Sequence, residues 1–234
     1  QVIWPRLGRT VLIATITLLF TWIIAIPIGI FSATHQYTIG DYSFTFIAFL
    51  GVSIPNFFLA LLLMFCMVFF FNSSAVGGLF SPQYAMAPWS WAKFIDLLKH
   101  VWVAIVVIGT AQTARITRMM RGNLLDILNM QYVQTARAKG LKERKVIYKH
   151  AVRNAIQPLV MNLGMAIPYL LEGSLITAIV LSLPTTGPMF YNALMTQDMY
   201  LAGTFLLMMA FMLLLGNLFA DFLLVLVDPR IRYD

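Results

Sequence analysis

Residues 132 to 158, YVQTARAKGLKERKVIYKHAVRNAIQP, hold seven of the chain's 16 lysines and arginines against a single acid, Glu143. Cations at this density attract anions, whether nucleic-acid phosphates, lipid headgroups or the acidic surface of another protein. Apolar residues recur at helical spacing on both sides of Gly140: Leu124, Leu125, Leu128, Tyr132, Val133 and Ala136 before it, and Leu141, Val146, Ile147, His150 and Ala151 after it. The pattern predicts helix, glycine, helix. Glycine suits the position just past a helix end, which often requires positive φ. Lys139 in the last turn complements the helix dipole, as Asp126 does near the predicted start of the first helix. A surface that only held headgroups would need charge alone. The additional apolar face asks for a protein partner, and the small Ala136 near the turn would let that partner approach closely.

Catalytic chemistry finds less support. His35, His100 and His150 are scattered over three connections without the i, i+4 pairing of a zinc helix. The single Cys66 provides neither a disulfide framework nor a cysteine metal site. No serine or threonine in the apolar runs has a histidine and a carboxylate nearby in sequence. No GxxxxGK[ST] pattern occurs, so any nucleotide hydrolysis belongs to another chain. Glu172 and Asn162 stand within an apolar run, where polar groups are costly and face a pathway or a partner. Both are candidates for lining a translocation pathway, with a hydrogen bond between helices as the alternative. Arg115, Arg118 and Arg121, three apart, read as side chains snorkelling to phosphates at the inner boundary.

The elements that must position these residues belong to a membrane. Hydrophobic residues make up 60% of the chain and charged residues 11%, with a mean hydropathy of +0.82, whereas about a quarter of the residues in soluble domains are charged. A span needs about 20 mostly apolar residues. Five such stretches occur, roughly Thr10 to Phe31, Phe44 to Phe71, Val101 to Met120, Ala155 to Leu183 and Tyr200 to Val227. Runs such as LLLMFCMVFFF do not alternate as barrel strands must, so the expected fold is all-α, a polytopic helical bundle with five transmembrane helices. Pro27, Pro55 and Pro168 interrupt three spans and predict kinks. WSWAKFIDLLKH reads as a short amphipathic helix along the interface, and LPTTGPMFYNALMTQDMY as a hairpin dipping back toward the protein.

Five crossings place the termini on opposite sides. With the connection from Arg115 to Arg153 in the cytoplasm, the inner segments hold 12 basic residues and the outer ones four, which satisfies the positive-inside rule. The first residues then lie outside, and a further span before Gln1 is expected.

QTARAKG followed by RNAIQP resembles the EAA signature of permease subunits from binding-protein-dependent ABC importers, in the longer form of the dipeptide, oligopeptide and nickel group. PRLGRT, SIPNF, ARITRMMRGNLLDIL and the C-terminal DPRIRY extend the resemblance over essentially the whole chain. Gln134 stands where the wider signature has Glu, Thr135 replaces its first Ala, and Pro158 follows Gly140 by 18 residues, further than in sugar-type permeases. The resemblance implies a type I importer permease fold, a single transmembrane domain over residues 1–234 with a cytoplasmic helix-turn-helix docking loop at residues 123–155. It implies that Tyr132, Ala136, Lys139 and Gly140 dock against an ATPase, with Glu143 and Arg144 as charge partners. The chain would form half of a pathway for peptides, nickel or oligosaccharides in a bacterial inner membrane. Its partners would be a second homologous permease, two cytoplasmic ATPase subunits that bind ATP and Mg, an extracytoplasmic substrate-binding protein and the bilayer. No cofactor on this chain and no nucleic acid are expected. Two other function classes are a membrane anchor for a cytoplasmic partner and a membrane-bound enzyme whose basic loop binds anionic lipid; the enzyme would lack paired carboxylates or a histidine cluster on any cytoplasmic face.

Overall fold

A computed structural model describes residues 3–73, 77–166 and 175–227, and these contain helices and no strand. In chain order the helices are α1 (Trp4–Thr34), α2 (Ile39–Ser53), α3 (Asn56–Phe71), the short α4 (Pro82–Ala85), α5 (Trp91–Leu128), α6 (Gln131–Ala138) and α7 (Glu143–Lys145). A π-helical turn, Val146–Ala151, leads into α8 (Val152–Ala155) and α9 (Gln157–Met161). Then come α10 (Leu175–Val180), α11 (Thr186–Met195) and α12 (Met199–Val227).

Among the described residues α1, α5 and α12 are long and apolar enough to cross a membrane, and α2 with α3 makes a fourth crossing if the two are taken together. Proline acts differently at its two described span positions. Pro27 lies inside the continuous α1. At Pro55 the expected single span from Phe44 to Phe71 is instead two helices meeting at 102°. Pro55 has extended ψ of 136°; it lacks an N–H, and it disfavours helical geometry at the residue before it. The fourth expected span contains residues 167–174, Glu172 among them, which lie outside the described residues.

The expected interfacial helix at WSWAKFIDLLKH is corrected. Residues from Trp91 onward are the first turns of α5, with no break before Val101. Lys93, Asp96 and His100 lie on one face of α5 and are buried. Asp96 accepts hydrogen bonds from Ser81 N and Oγ, both at 2.7 Å, and His100 Nδ1–H donates to the Asp96 carbonyl at 2.8 Å. Lys93 Nζ donates to Ala87 O at 2.6 Å and sits over the rings of Phe80 and Trp89. The polar face is used up by the chain's own loop rather than by headgroups.

The described residues divide into two compact units, one drawn from residues 1–20, 53–111 and 167–210, the other from 21–52, 112–166 and 211–234. The basic segment falls in the second unit. There, Gly29 lets α1 approach α5, since a Cβ on it would stand 2.7 Å from Met120 Cβ and 3.0 Å from Thr117 O. Outside these contacts the membrane helices present apolar side chains, as a lipid solvent requires; in α3 only Ala60 is buried, while Phe57, Phe65 and Phe69 to Phe71 are exposed.

Candidate functional site

The basic segment is a loop folded on its own small core. The helix expected to run through NLLDILNMQYVQTARAK is broken: α5 ends at Leu128, and Met130 takes extended backbone (ψ 146°) before α6 begins. Asp126 therefore sits in the last turn of α5 rather than at a helix start. Two side chains close the gap. Asn129 Nδ2 donates to Leu125 O at 3.1 Å, and Gln134 Nε2 donates to Leu128 O at 3.1 Å, each covering a carbonyl left open at the helix end. The second bond gives a use to glutamine at this position, because an ionised glutamate has no proton to donate.

Gly140 has φ of +72° and its N–H donates to Arg137 O at 2.9 Å. The expectation of positive φ after the helix is thus met. Lys142 restarts the chain in extended geometry, and the second arm runs through α7, the π turn and α8. Tyr132 ties the arms together, its hydroxyl accepting from Asn154 Nδ2 at 2.6 Å.

The loop's inner face is apolar. Val133 and Ala136 of α6, with Val146, Ala151 and Ala155 of the second arm, pack on Ile30 and Ala33 of α1 and Met120 and Leu124 of α5. Val133, Val146, Ala151, Met120 and Leu124 are fully buried. Each aliphatic side chain of Val or Leu size contributes about 1.5–3 kcal/mol by leaving water. Ala136, expected on an open face, is 6% exposed and belongs to this core. Its small size lets α6 lie close to its own chain.

The outer face is where the charges are. Lys139, Lys142, Arg144, Lys145, Lys149 and Arg153 are exposed, together with Tyr132 and Gly140. Glu143, expected as a charge partner for another protein, is already engaged: Arg137 Nη2 donates to its Oε1 at 2.7 Å, and Arg137 Nε lies 3.2 Å from both carboxylate oxygens. The Arg137 guanidinium holds the Glu143 carboxyl below the usual glutamate range, burial opposing slightly, and Glu143 in turn raises Arg137. Beside this pair a cleft of about 400 Å³ opens, with Ile30, Leu128 and Ile147 on its apolar side and Arg137, Glu143 and Arg144 on its polar side. The loop thus carries its exposed cations on a segment seated on a buried apolar core.

The residues that fasten the neighbouring helices are not legible in the sequence. Arg121, expected to reach headgroups, instead donates from Nε to Asp41 Oδ1 at 2.9 Å and from Nη2 to Oδ2 at 2.8 Å. Asp41 is 2% exposed, and it also accepts from Tyr37 N at 3.1 Å, which holds Tyr37 at a φ of 66°. The pair spans 80 residues, so no local spacing announces it. The pathway candidate Asn162 ends α9, where its Nδ2 donates to Pro158 O at 2.7 Å and lies 3.9 Å from Met119 Sδ. The other candidate, Glu172, lies outside the described residues.

Comparison with known proteins agrees with this architecture. Residues 25–233 match the family described as binding-protein-dependent transport system inner membrane component. The oligopeptide transport system permease protein AppB of Bacillus subtilis (strain 168) is 34% identical over 233 residues, covering 100% of this chain and 72% of the relative. The dipeptide transport system permease protein DppB of Escherichia coli (strain K12) is 32% identical over 244 residues, covering 98% of this chain and 72% of the relative. A helical membrane bundle with a glycine-jointed loop, matched over nearly its full length to such proteins, belongs to the binding-protein-dependent transport system inner membrane components: it is a multi-pass inner-membrane permease subunit of an ABC importer.

Proposed function

We propose that this permease carries peptides and that its loop at residues 123–155 is the cytoplasmic handle through which ATPase subunits drive it. The peptide assignment rests on the relatives, whose names specify oligopeptide and dipeptide transport. In this reading a second homologous permease completes the pathway, two cytoplasmic ATPases bind ATP and Mg, and an extracytoplasmic binding protein delivers the peptide. The loop and the C-terminus face the cytoplasm, the side that the excess of basic residues favours.

One observation carries the docking role: the loop's apolar face is committed to α1 and α5 while its cationic face stays exposed. A loop built this way cannot move without moving the inner ends of two membrane helices. ATP-driven closure of the ATPases would displace the handles and shift the bundle between inward and outward openings, because the packed core transmits the displacement as a body. Tyr132, Lys139, Gly140 and Arg144 are the exposed contacts in this scheme. Ala136 serves from within by packing, and Glu143, itself exposed, by pairing with Arg137.

The test is to co-express the chain with the ATPase, permease and binding-protein genes of its own transport system, purify on a tag carried by this chain, and reconstitute in liposomes. Recovery of the ATPases, with hydrolysis stimulated by peptide-loaded binding protein and accumulation of the peptide, is the expected result. Recovery of this chain without ATPases, or stimulation by a non-peptide solute and not by peptides, would refute the docking role or the substrate class respectively.

A further inference from the structure

The threonines of the first compact unit form a site that the transport reading does not use. Thr10, on α1, and Thr186, at the start of α11, are paired: Thr186 N–H donates to Thr10 Oγ1 at 3.0 Å and the two hydroxyls lie 3.2 Å apart. The proton of Thr10 goes to Arg6 O at 2.8 Å, so Thr186 must donate within the hydroxyl pair. With one bond given and two accepted, Thr10 has no capacity left.

Thr17 and Thr185 differ. Thr17 is fully buried and Thr185 is 5% exposed, yet neither hydroxyl has a hydrogen-bond partner among the described residues. Thr17 does not make the bond to the carbonyl four residues back that Thr10, Thr34 and Thr110 make. Both threonines line one small cavity of about 10 Å³, together with Thr10, Ile13, Ile108 and Leu183. A buried hydroxyl without a partner is destabilising, and two line this one cavity. A cavity needs at least roughly 10–15 Å³ and two or more polar partners to hold a water. The site meets both conditions, at the lower limit of size. Its ligands are neutral hydroxyls with no carboxylate, which suits water and not a cation.

We propose that one water molecule occupies this cavity and bridges the Thr17 and Thr185 hydroxyls, so that α1 and the segment entering α11 are joined by a direct threonine pair and, beside it, by a water. The inference does not depend on the substrate or on the docking role. The experiment uses the assembled importer in lipid nanodiscs. Thr17→Val and Thr185→Val keep the side-chain shape and remove one hydroxyl each. Each is expected to lower the unfolding midpoint by about 2–4 °C, the shift that about 1 kcal/mol produces in a domain of this size, and the double variant by no more than the larger single, since either change releases the same water. A raised or unchanged midpoint in the single variants means a dry cavity and overturns the proposal, as do fully additive losses. A second measurement guards against variants that fail to assemble. A cryo-EM map of the unaltered importer that shows ordered waters elsewhere should show a peak within hydrogen-bond distance of both hydroxyls, and its absence there also overturns the proposal.

Discussion

Gly140 shows how one backbone angle can hold a functional surface in shape. Its φ of +72° is open to glycine, while the space around it is empty, so a substituent there would meet no neighbour. The cost of replacement is therefore conformational. For a residue with a β-branch, left-handed geometry costs about 1–2 kcal/mol, and the turn can relieve that only by changing the angle between the arms. Gly140→Val is expected to insert normally but to recover less ATPase on purification and to transport severalfold less peptide; Gly140→Asn, which tolerates this region, should retain most of both. Equal transport by the valine variant would show that the turn's shape does not matter. The Arg137–Glu143 pair makes a smaller, pH-dependent contribution. Because the folded pKa of Glu143 is lowered, the stabilisation is complete above the ordinary glutamate value of about 4.3 and is lost as pH falls through the lowered one. Glu143 is 55% exposed at its side chain, so the pair is worth at most about 0.2–1 kcal/mol. Amide exchange at residues 137–143, corrected for intrinsic rates, should be flat from pH 8 to 5 and faster only in more acid solution. Glu143→Gln should exchange faster throughout and lose the acid step.

At the next level up, helices matter through what joins them. The Asp41–Arg121 bond fixes the start of α2 to α5 at a residue between Met120 and Leu124, which both belong to the loop core. Removing one member of a buried pair costs about 3–5 kcal/mol, less here because Arg121 keeps 26% of its side chain exposed. Asp41→Asn should bind ATPases as before but move less peptide per ATP hydrolysed. A thiol cross-link in the double variant Asp41→Cys, Arg121→Cys, made in a Cys66→Ser background, should restore coupling. If the cross-link stops transport instead, the bond opens during the cycle and is not a fixed joint. Gly29→Ala would push α1 from α5, since its Cβ would meet Met120 at 2.7 Å; overpacking of this kind costs about 1–3 kcal/mol and should lower the thermal midpoint. The sequence announces helices well because long apolar runs without period two have few other solutions in lipid. It announces the turn at Gly140 through a single residue type. It does not announce the break at Met130, where no proline or glycine stands, nor the continuity of α5 from Trp91, where an amphipathic pattern fits both a surface helix and a buried one. Ala136 is misplaced for a related reason: helical spacing says which residues share a face but not whether that face meets the same chain or another. Asp41 with Arg121 cannot be read at all, because local periodicity carries no information across 80 residues.

For the molecule as a whole, orientation and docking meet in one measurement. The inner segments are assigned from 12 basic residues against four, and a charge bias acts on insertion rather than on the finished fold; the fold by itself has no inside. The lone Cys66 makes the chain suited to thiol mapping once it is replaced by serine. Two exposed positions then serve as reporters, Lys139 at the tip of the loop and Trp89 before α5. In right-side-out vesicles a membrane-impermeant maleimide should label Trp89→Cys and leave Lys139→Cys untouched; in inverted vesicles the pattern should reverse. Adding the ATPase partners to inverted vesicles should then slow labelling of Lys139→Cys by tenfold or more. Labelling of Lys139→Cys from the outer side would reverse the assigned topology. Correct sidedness without protection would keep the topology and remove the ATPase from the loop, leaving the exposed cations to headgroups, where each is worth about 1 kcal/mol and no buried core of Val133 and Val146 would be needed to hold them in place.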